Sequence, residues 1–131
     1  TGVLAIALAK RTRLPVLASD IDPIAVTTTV ENARDNGVGR YIIAFEATGL
    51  DHRQIANGTP FDLIVANILA GPLVSLAPGM RKVTAVGATV ILSGILNTQA
   101  NRVISAYSQQ GIVLRQRIVK KEWTTLVLER V

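Results

Sequence analysis

Residues 61–67 read Phe61-Asp62-Leu63-Ile64-Val65-Ala66-Asn67, and this stretch decides the fold class. The run from Phe61 to Ala66 is nearly all apolar, which is typical of a parallel strand that is covered on both faces. Asn67 follows it directly. Ligands of open α/β sheets bind beyond the carboxyl ends of the strands, so Asn67 stands where a pocket is expected. The residues alone leave open whether Asn67 faces a ligand or supports the turn before the next helix.

Helices and strands alternate on both sides of this stretch. Helical patterns cover residues 2–13, 72–82 and 98–110, and another helix starts at Asp22-Pro23 and ends at Asn36-Gly37. Strand patterns cover residues 15–18, 41–45, 61–66, 88–93, 112–119 and 123–130, and residues 47–60 are predicted to be loop. The alternation predicts an α/β fold with a doubly wound, mostly parallel, Rossmann-like sheet that ends in an antiparallel strand pair.

The predicted sheet lacks its first central strand. In nucleotide-binding sheets of this kind that strand comes first and its turn holds the Gly-rich loop, whereas this chain opens on a helix and only Thr1-Gly2 could be the tail of such a loop. The strands at 15–18 and 61–66 would each lose a neighbour, and each unpaired buried backbone group costs about 1–3 kcal/mol. We therefore expect residues 1–131 to be one domain that is incomplete at its N-terminal side.

Composition narrows the function classes. The 131 residues contain no cysteine, which excludes disulfides and thiolate metal sites, and no His or carboxylate cluster has metal-ligand spacing, so no metal site is expected. The formal charge of +5 comes from scattered basic residues, and five aromatic residues supply little for base stacking, so no direct nucleic-acid contact is expected. No apolar run suits a membrane span and no signal peptide is recognisable, so a cytoplasmic location without membrane contact is the expectation.

Candidate binding residues gather at the ends of predicted strands. Asp20 ends the strand at 15–18, about 18 residues after Gly2, where a carboxylate can accept hydrogen bonds from ribose hydroxyls; a surface turn is the alternative. Ile21 could pack on a purine face or belong to the core. Asp22 is interpreted as a helix cap. Ser93-Gly94 reaches the same edge, where glycine permits close backbone approach, and His52 is interpreted as an exposed loop residue.

Several segments resemble class I methyltransferases, and two blocks narrow the resemblance to one family. The general segments are Thr1-Gly2-Val3-Leu4-Ala5-Ile6-Ala7, Asp20-Ile21-Asp22-Pro23-Ile24-Ala25-Val26, Glu31-Asn32-Ala33-Arg34 and Asn36-Gly37-Val38. The specific ones are Val65-Ala66-Asn67-Ile68-Leu69-Ala70-Gly71-Pro72-Leu73 with Leu76-Ala77-Pro78, Leu92-Ser93-Gly94-Ile95-Leu96, and Lys121-Glu122-Trp123. Together they closely resemble the PrmA family of ribosomal protein L11 methyltransferases over nearly the whole chain.

The resemblance implies a function and site roles. It implies S-adenosylmethionine as cofactor and methylation of lysine side chains and the N-terminal amine of a large-subunit ribosomal protein. By the family's motif, Asp20 would bind the ribose, and Asn67 would lie beside the methyl-donor end of the cofactor and the incoming amine. Gly2 and Ile21 complete the expected cofactor residues. Two further cofactor positions of the family, and its N-terminal substrate domain, have no counterpart in residues 1–131, and Val86-Gly87-Ala88 replaces the family's more frequent Pro-Gly-Gly.

Three alternatives remain at this point. The first is a class I methyltransferase for a small molecule or for the glutamine of a release factor, although the latter family has Asn-Pro-Pro-Tyr where this chain has Asn67-Ile68-Leu69-Ala70. The second is a Rossmann-type dehydrogenase, which the antiparallel end of the sheet disfavours. The third is an inactive fragment or binding module, since half of the expected cofactor site is absent.

Overall fold

The computed structural model describes residues 2–131 and shows two compact units, one up to Ala56 and the other from Asn57 to Val131. The first unit contains α1 (Val3–Thr12), β1 (Val16–Asp20), α2 (Pro23–Asp35), a 3-10 turn (Gly39–Tyr41), β2 (Ile42–Glu46) and most of α3 (Arg53–Gly58). The second contains β3 (Phe61–Asn67), α4 (Ala70–Val83), β4 (Thr84–Leu96), a 3-10 turn (Asn97–Gln99), α5 (Ala100–Ser108), β5 (Ile112–Lys120) and β6 (Trp123–Arg130).

The first unit is a parallel strand pair with two helices packed beside it. β1 and β2 run in register from Val16 opposite Ile42 to Asp20 opposite Glu46, so both strands end at the same level. A small apolar cluster of Ile6, Ala9, Ala33 and Val38 is buried beside the strands and packs against Val16, Tyr41 and Ile42, near their amino ends. Asp20 lies at the other end of β1, opposite Glu46 of β2.

The second unit is a four-stranded sheet in the order β3-β4-β6-β5. β3 and β4 are parallel, whereas β6 is antiparallel to both β4 and β5, which confirms the predicted antiparallel end. Directly opposite residues of an antiparallel pair share a face. Leu92 lies opposite Leu126 and Val90 opposite Leu128, and all four are fully buried. Fully buried side chains of α4 and α5 complete the core of this unit: Leu73, Ala77, Val103 and Tyr107.

β1 and β3 are both edge strands of their sheets. Within residues 2–131, β1 pairs only with β2, and β3 pairs only with β4. Each of the two strands thus has one unpaired edge within the described residues, and a further strand that pairs there stays a prediction.

The predicted loop at 47–60 is wrong in part, because residues 53–58 form α3. His52 stands directly before this helix and bonds its first turn: its Nδ1 accepts a 3.0 Å hydrogen bond from the backbone N–H of Gln54, and its carbonyl accepts one of 3.1 Å from the N–H of Ile55. The imidazole also stacks on Phe45, with ring centroids 4.3 Å apart. His52 does lie in the loop before α3, but it is half-buried, so its interpretation as an exposed residue is wrong. Only Ile55 of α3 is buried, and one apolar side chain gives no helical periodicity to detect.

β4 is longer than its predicted span of 88–93. Phe61 pairs with Thr84 and Leu63 with Thr89, so residues 85–88 bulge out opposite Asp62 alone. Gly87 has φ +86° in this bulge, which is why the sequence there looks like a turn. Both the turn-like chemistry and the strand pairing are real, and they coexist in a single irregular strand.

Candidate functional site

Gly2 lies at the N-cap of α1 and in the left-handed region, with φ +76°. A Cβ atom at this position would stand 2.5 Å from Cγ2 of Thr29 in α2, so only glycine allows this close approach of the backbone. Its carbonyl accepts a 2.9 Å hydrogen bond from the N–H of Ile6, which starts the helix. Thr1, the other residue of the expected loop tail, lies outside the described residues. Gly2 thus brings the free N–H groups of the first turn of α1 close to α2.

Asp20 ends β1 with its carboxylate exposed. Its Oδ1 accepts a 3.0 Å hydrogen bond from the backbone N–H of Asp22, and its carbonyl accepts one of 3.0 Å from Ala47, the residue after β2. Among residues 2–131, no protein donor occupies its Oδ2. The carboxylate is therefore held by one oxygen and offers the other to solvent or to a ligand.

Ile21 and Asp22, the two residues after Asp20, have different environments. Ile21 is 69% exposed, so its interpretation as a core residue is wrong, and an apolar side chain is left beside the carboxylate. Asp22 is the N-cap of α2, as predicted: its Oδ1 accepts a 2.9 Å hydrogen bond from the N–H of Ile24, and Pro23 occupies the first helical position.

Asn67 is the last residue of β3 and is exposed. If it supported the turn into α4, its side chain would bond backbone groups there. Instead the N-cap of α4 is Leu69, with no side-chain cap, and the carboxamide of Asn67 makes no hydrogen bond to a group of residues 2–131. The turn-supporting interpretation is therefore wrong, and the carboxamide keeps both its donor and its acceptor capacity.

Gly94 of β4 lies against the side chain of Asn67. Asn67 pairs with Ser93 in the β3–β4 ladder. Gly94, the residue after Ser93, has φ +81°. A Cβ atom on Gly94 would stand 2.7 Å from Oδ1 of Asn67 and 3.2 Å from the carbonyl oxygen of Ile68. The predicted close approach at Ser93-Gly94 is thus confirmed. That the approaching group is the Asn67 carboxamide itself could not be predicted from the sequence, since this contact depends on the register of two strands.

Exposed apolar side chains follow the polar ends of β3 and β4 in the chain. Ile68 and Leu69, which follow Asn67, are 39% and 71% exposed, and Leu96 at the end of β4 is 37% exposed. Leu96 pairs with Trp123 of β6, which is also partly exposed. A group that approached Asn67 in this unit would meet a mixture of carboxamide, backbone carbonyl and apolar surface.

Tyr107 and Tyr41 have shifted pKa values, and both lie outside the predicted site. Burial raises the pKa of Tyr107 to about 12. The hydrogen bond from Arg40, at 2.7 Å, lowers the pKa of Tyr41, and the charge of Arg13 adds to this effect. Neither tyrosine is placed at a strand end where a ligand is expected.

Two other site types find no support in the described part of the chain. No group of three or more His, Asp or Glu side chains in residues 2–131 is arranged to hold a metal ion. No helix in this range combines the length and apolar character that a membrane crossing needs.

Comparison with known proteins identifies the relatives of this chain. Residues 1–131 match the family described as Ribosomal protein L11 methyltransferase (PrmA). A curated protein of that name from Brucella suis is 46% identical over 129 residues, which are 98% of this chain and 45% of the relative. The chain thus spans about half the length of the curated relatives it matches.

Solved structures confirm the fold. A crystal structure of ribosomal protein L11 methylase from Lactobacillus delbrueckii subsp. bulgaricus is 32% identical, with a TM-score of 0.90 over 98% of this chain and 64% of that chain. An RNA methyltransferase from Salinibacter ruber, solved with S-adenosyl-L-homocysteine, has the same fold at 14% identity, with a TM-score of 0.75 over 98% of this chain and 74% of that chain. The predicted class I methyltransferase α/β fold is therefore confirmed.

Proposed function

Because the chain belongs to the ribosomal protein L11 methyltransferase family, we propose that it provides catalytic residues of an S-adenosylmethionine-dependent enzyme that methylates amino groups of a large-subunit ribosomal protein. One observation carries this proposal: the Asn67 carboxamide is exposed at the carboxyl end of β3, and no protein group in residues 2–131 bonds it. A buried or bonded carboxamide would be structural, whereas a free one at this position of an α/β sheet suits a ligand.

The first unit fits the nucleoside part of the cofactor. Oδ2 of Asp20 is free to accept from ribose hydroxyls, and the bond from Asp22 to Oδ1 keeps the carboxylate oriented. The exposed side chain of Ile21 offers an apolar surface to a purine. Gly2 allows the first turn of α1 to present backbone N–H groups to a polar ligand. When bound, S-adenosylmethionine supplies an electrophilic methyl group on its sulfonium sulfur.

The second unit fits an amine. We assign to Oδ1 of Asn67 and the carbonyl of Ile68 the role of accepting hydrogen bonds from the amine nitrogen, which turns its lone pair toward the methyl group. Holding two reacting groups in line lowers a barrier by about 7–11 kcal/mol in well-oriented cases. The methyl group passes directly from the sulfonium sulfur to the amine nitrogen, so no residue of the protein has to form a covalent intermediate with it.

The amine must lose its proton before it reacts. At pH 7 this costs about 4.6 kcal/mol for a lysine side chain and about 1 kcal/mol for an α-amino group. The apolar surface of Ile68 and Leu69 disfavours the charged amine through desolvation and so lowers this cost. A strong general base is not needed in this scheme, which matches the absence of a nearby carboxylate in the sequence of residues 65–71.

The proposed substrates are the lysine side chains and the N-terminal amine of ribosomal protein L11, as the family description and the sequence resemblance suggest. The partner is then a ribosomal protein rather than nucleic acid or membrane, and the reaction takes place in the cytoplasm.

The test is methyl transfer by the complete protein. It is incubated with purified ribosomal protein L11 and S-adenosylmethionine carrying a labelled methyl group, and the modified residues are located by peptide mass spectrometry. We expect label on amine nitrogens of L11 and none on L11 whose amines have been acetylated beforehand. Label that appears only on RNA or on a small molecule, or no transfer from this cofactor, would overturn the proposal.

A further inference from the structure

The β4 strand is bulged at the point where it meets Asn67. In the β4–β6 ladder, Leu92 pairs with Leu126 and Ile95 with Thr124, so Ser93 and Gly94 together stand opposite Thr125. Bulges of this kind bend a strand, take one residue out of the ladder and re-aim neighbouring groups, often beside active sites. Here the bulge lies where β4 still pairs with β3, through Ser93 and Asn67.

Gly94 combines two properties at this bulge. Its φ of +81° lies in the region that glycine adopts without strain, and the place of its absent Cβ is lined by Oδ1 of Asn67 and the carbonyl oxygen of Ile68. Both oxygens that we assign to the amine therefore lie against the same α-carbon. Any side chain on residue 94 would push the carboxamide away, because 2.7 Å is shorter than a carbon–oxygen contact allows.

We propose that Gly94 is a positioning residue for methyl transfer: the bulge and the missing side chain fix where the Asn67 carboxamide stands. Gly94 itself touches neither cofactor nor amine in this account. The inference rests on the proposed function of Asn67, but it adds a residue in another strand whose only route to catalysis is through that side chain.

β4 contains its own matched control. Gly87 has nearly the same φ, +86°, yet a Cβ atom there would meet nothing within 4 Å. Gly87→Ala and Gly94→Ala therefore both place an alanine at a positive φ, which L side chains rarely adopt. Only Gly94→Ala adds the contact with Asn67.

Turnover by the complete protein is measured for the wild type, Gly87→Ala, Gly94→Ala, Asn67→Ala and the double variant Gly94→Ala/Asn67→Ala. Since misplacement by about 1 Å can cost about 100-fold in rate, we expect Gly94→Ala to lower kcat by about 10- to 100-fold while KM for S-adenosylmethionine stays nearly constant. Gly87→Ala should keep the wild-type kcat. The double variant should be no slower than Asn67→Ala alone, because no carboxamide is left to misplace. Wild-type kcat in Gly94→Ala, or losses that multiply in the double variant, would overturn the inference.

Thermal unfolding separates this inference from the proposed function. If the contact is real, Asn67→Ala should recover part of the Tm that Gly94→Ala loses, and it should recover none of the Tm that Gly87→Ala loses. This comparison does not depend on what Asn67 does in catalysis. Wild-type turnover in Asn67→Ala would contradict the proposed role of Asn67, whereas the Tm values would still show whether residue 94 contacts its side chain. If Gly94→Ala does not fold, a folded double variant supports the contact. If neither folds while Gly87→Ala does, residue 94 acts through the backbone of Ile68, and the inference is wrong.

Discussion

The backbone N–H of Asp22 donates a 3.0 Å hydrogen bond to Oδ1 of Asp20, so one turn at the end of β1 both orients a carboxylate and starts a helix. Asp22 caps α2 with its own side chain, and Asp20 keeps Oδ2 free of protein donors within residues 2–131. The two acidic residues, separated by exposed Ile21, thus have different tasks that can be tested separately.

Asp20→Asn should weaken cofactor binding and leave the turn intact. The amide keeps an oxygen for the N–H of Asp22 but loses the negative charge that strengthens bonds to ribose hydroxyls. Hydrogen bonds to a charged group contribute about 1.5–3 kcal/mol, which corresponds to a 10- to 100-fold loss of affinity for S-adenosylhomocysteine by calorimetric titration. Asp51→Asn, on an exposed loop of the same unit, is the control and should bind like the wild type. Equal affinity in both variants would exclude Asp20 from the ribose site.

Asp22→Ala should lower stability rather than affinity. The lost side-chain cap leaves the N–H of Ile24 without its partner, at a cost of about 0.5–2 kcal/mol in the free energy of unfolding. Urea unfolding followed by circular dichroism measures this loss. Asp22→Ser retains a capping oxygen and should recover most of the stability; if it is as unstable as the alanine variant, the cap is not what Asp22 contributes.

Tyr107→Phe should destabilise the second unit modestly. The buried hydroxyl donates a 2.8 Å hydrogen bond to the carbonyl of Leu73 and so joins α5 to α4. Its loss should cost about 1 kcal/mol of unfolding free energy near neutral pH, because the phenylalanine ring fills nearly the same volume. A variant as stable as the wild type would show that this bond does not add to the apolar packing of the two helices.

The same tyrosine should give the chain a dependence on alkaline pH. Burial raises the pKa of Tyr107 to about 12 from its ordinary value of 10.0. Because the folded value is the higher one, the contribution of the neutral hydroxyl is complete below pH 10 and is lost as pH rises through 12. The shift of about two units corresponds to about 3 kcal/mol at most. Because this loss exceeds the advantage of about 1 kcal/mol from the hydrogen bond, the unfolding free energy of the wild type should start above that of Tyr107→Phe at pH 9 and fall below it by pH 12. Curves that stay parallel would contradict the raised pKa.

The sequence predicted those features that depend on local patterns. Three such features are present in the structure: the apolar run of β3, the Asp-Pro start of α2 and the antiparallel C-terminal strand pair. Each can be recognised from residues that are neighbours in the sequence. The position of Asp20 at a strand end was predictable for the same reason. These features need no knowledge of distant contacts.

Features that depend on contacts between distant residues were missed. The stack of His52 on Phe45 helps to hold α3, yet nothing in residues 47–60 indicates it. The bulge of β4 at Ser93-Gly94 arises from the registers of two ladders, and the approach of Gly94 to Asn67 joins residues 27 positions apart. Periodicity describes one element at a time and therefore cannot show what stands beside it.

The role of Asn67 in methyl transfer is the central claim, and the most direct measurement compares turnover with cofactor affinity in Asn67→Ala. The free carboxamide at the end of β3 is assigned to the amine, so its loss should lower kcat of the complete protein on ribosomal protein L11 by about 100-fold through lost alignment. Affinity for S-adenosylhomocysteine should change far less, and Asn57→Ala, at an exposed asparagine of α3, should match the wild type in both quantities. Unchanged turnover in Asn67→Ala, or a loss of cofactor affinity as large as the loss of turnover, would contradict the account.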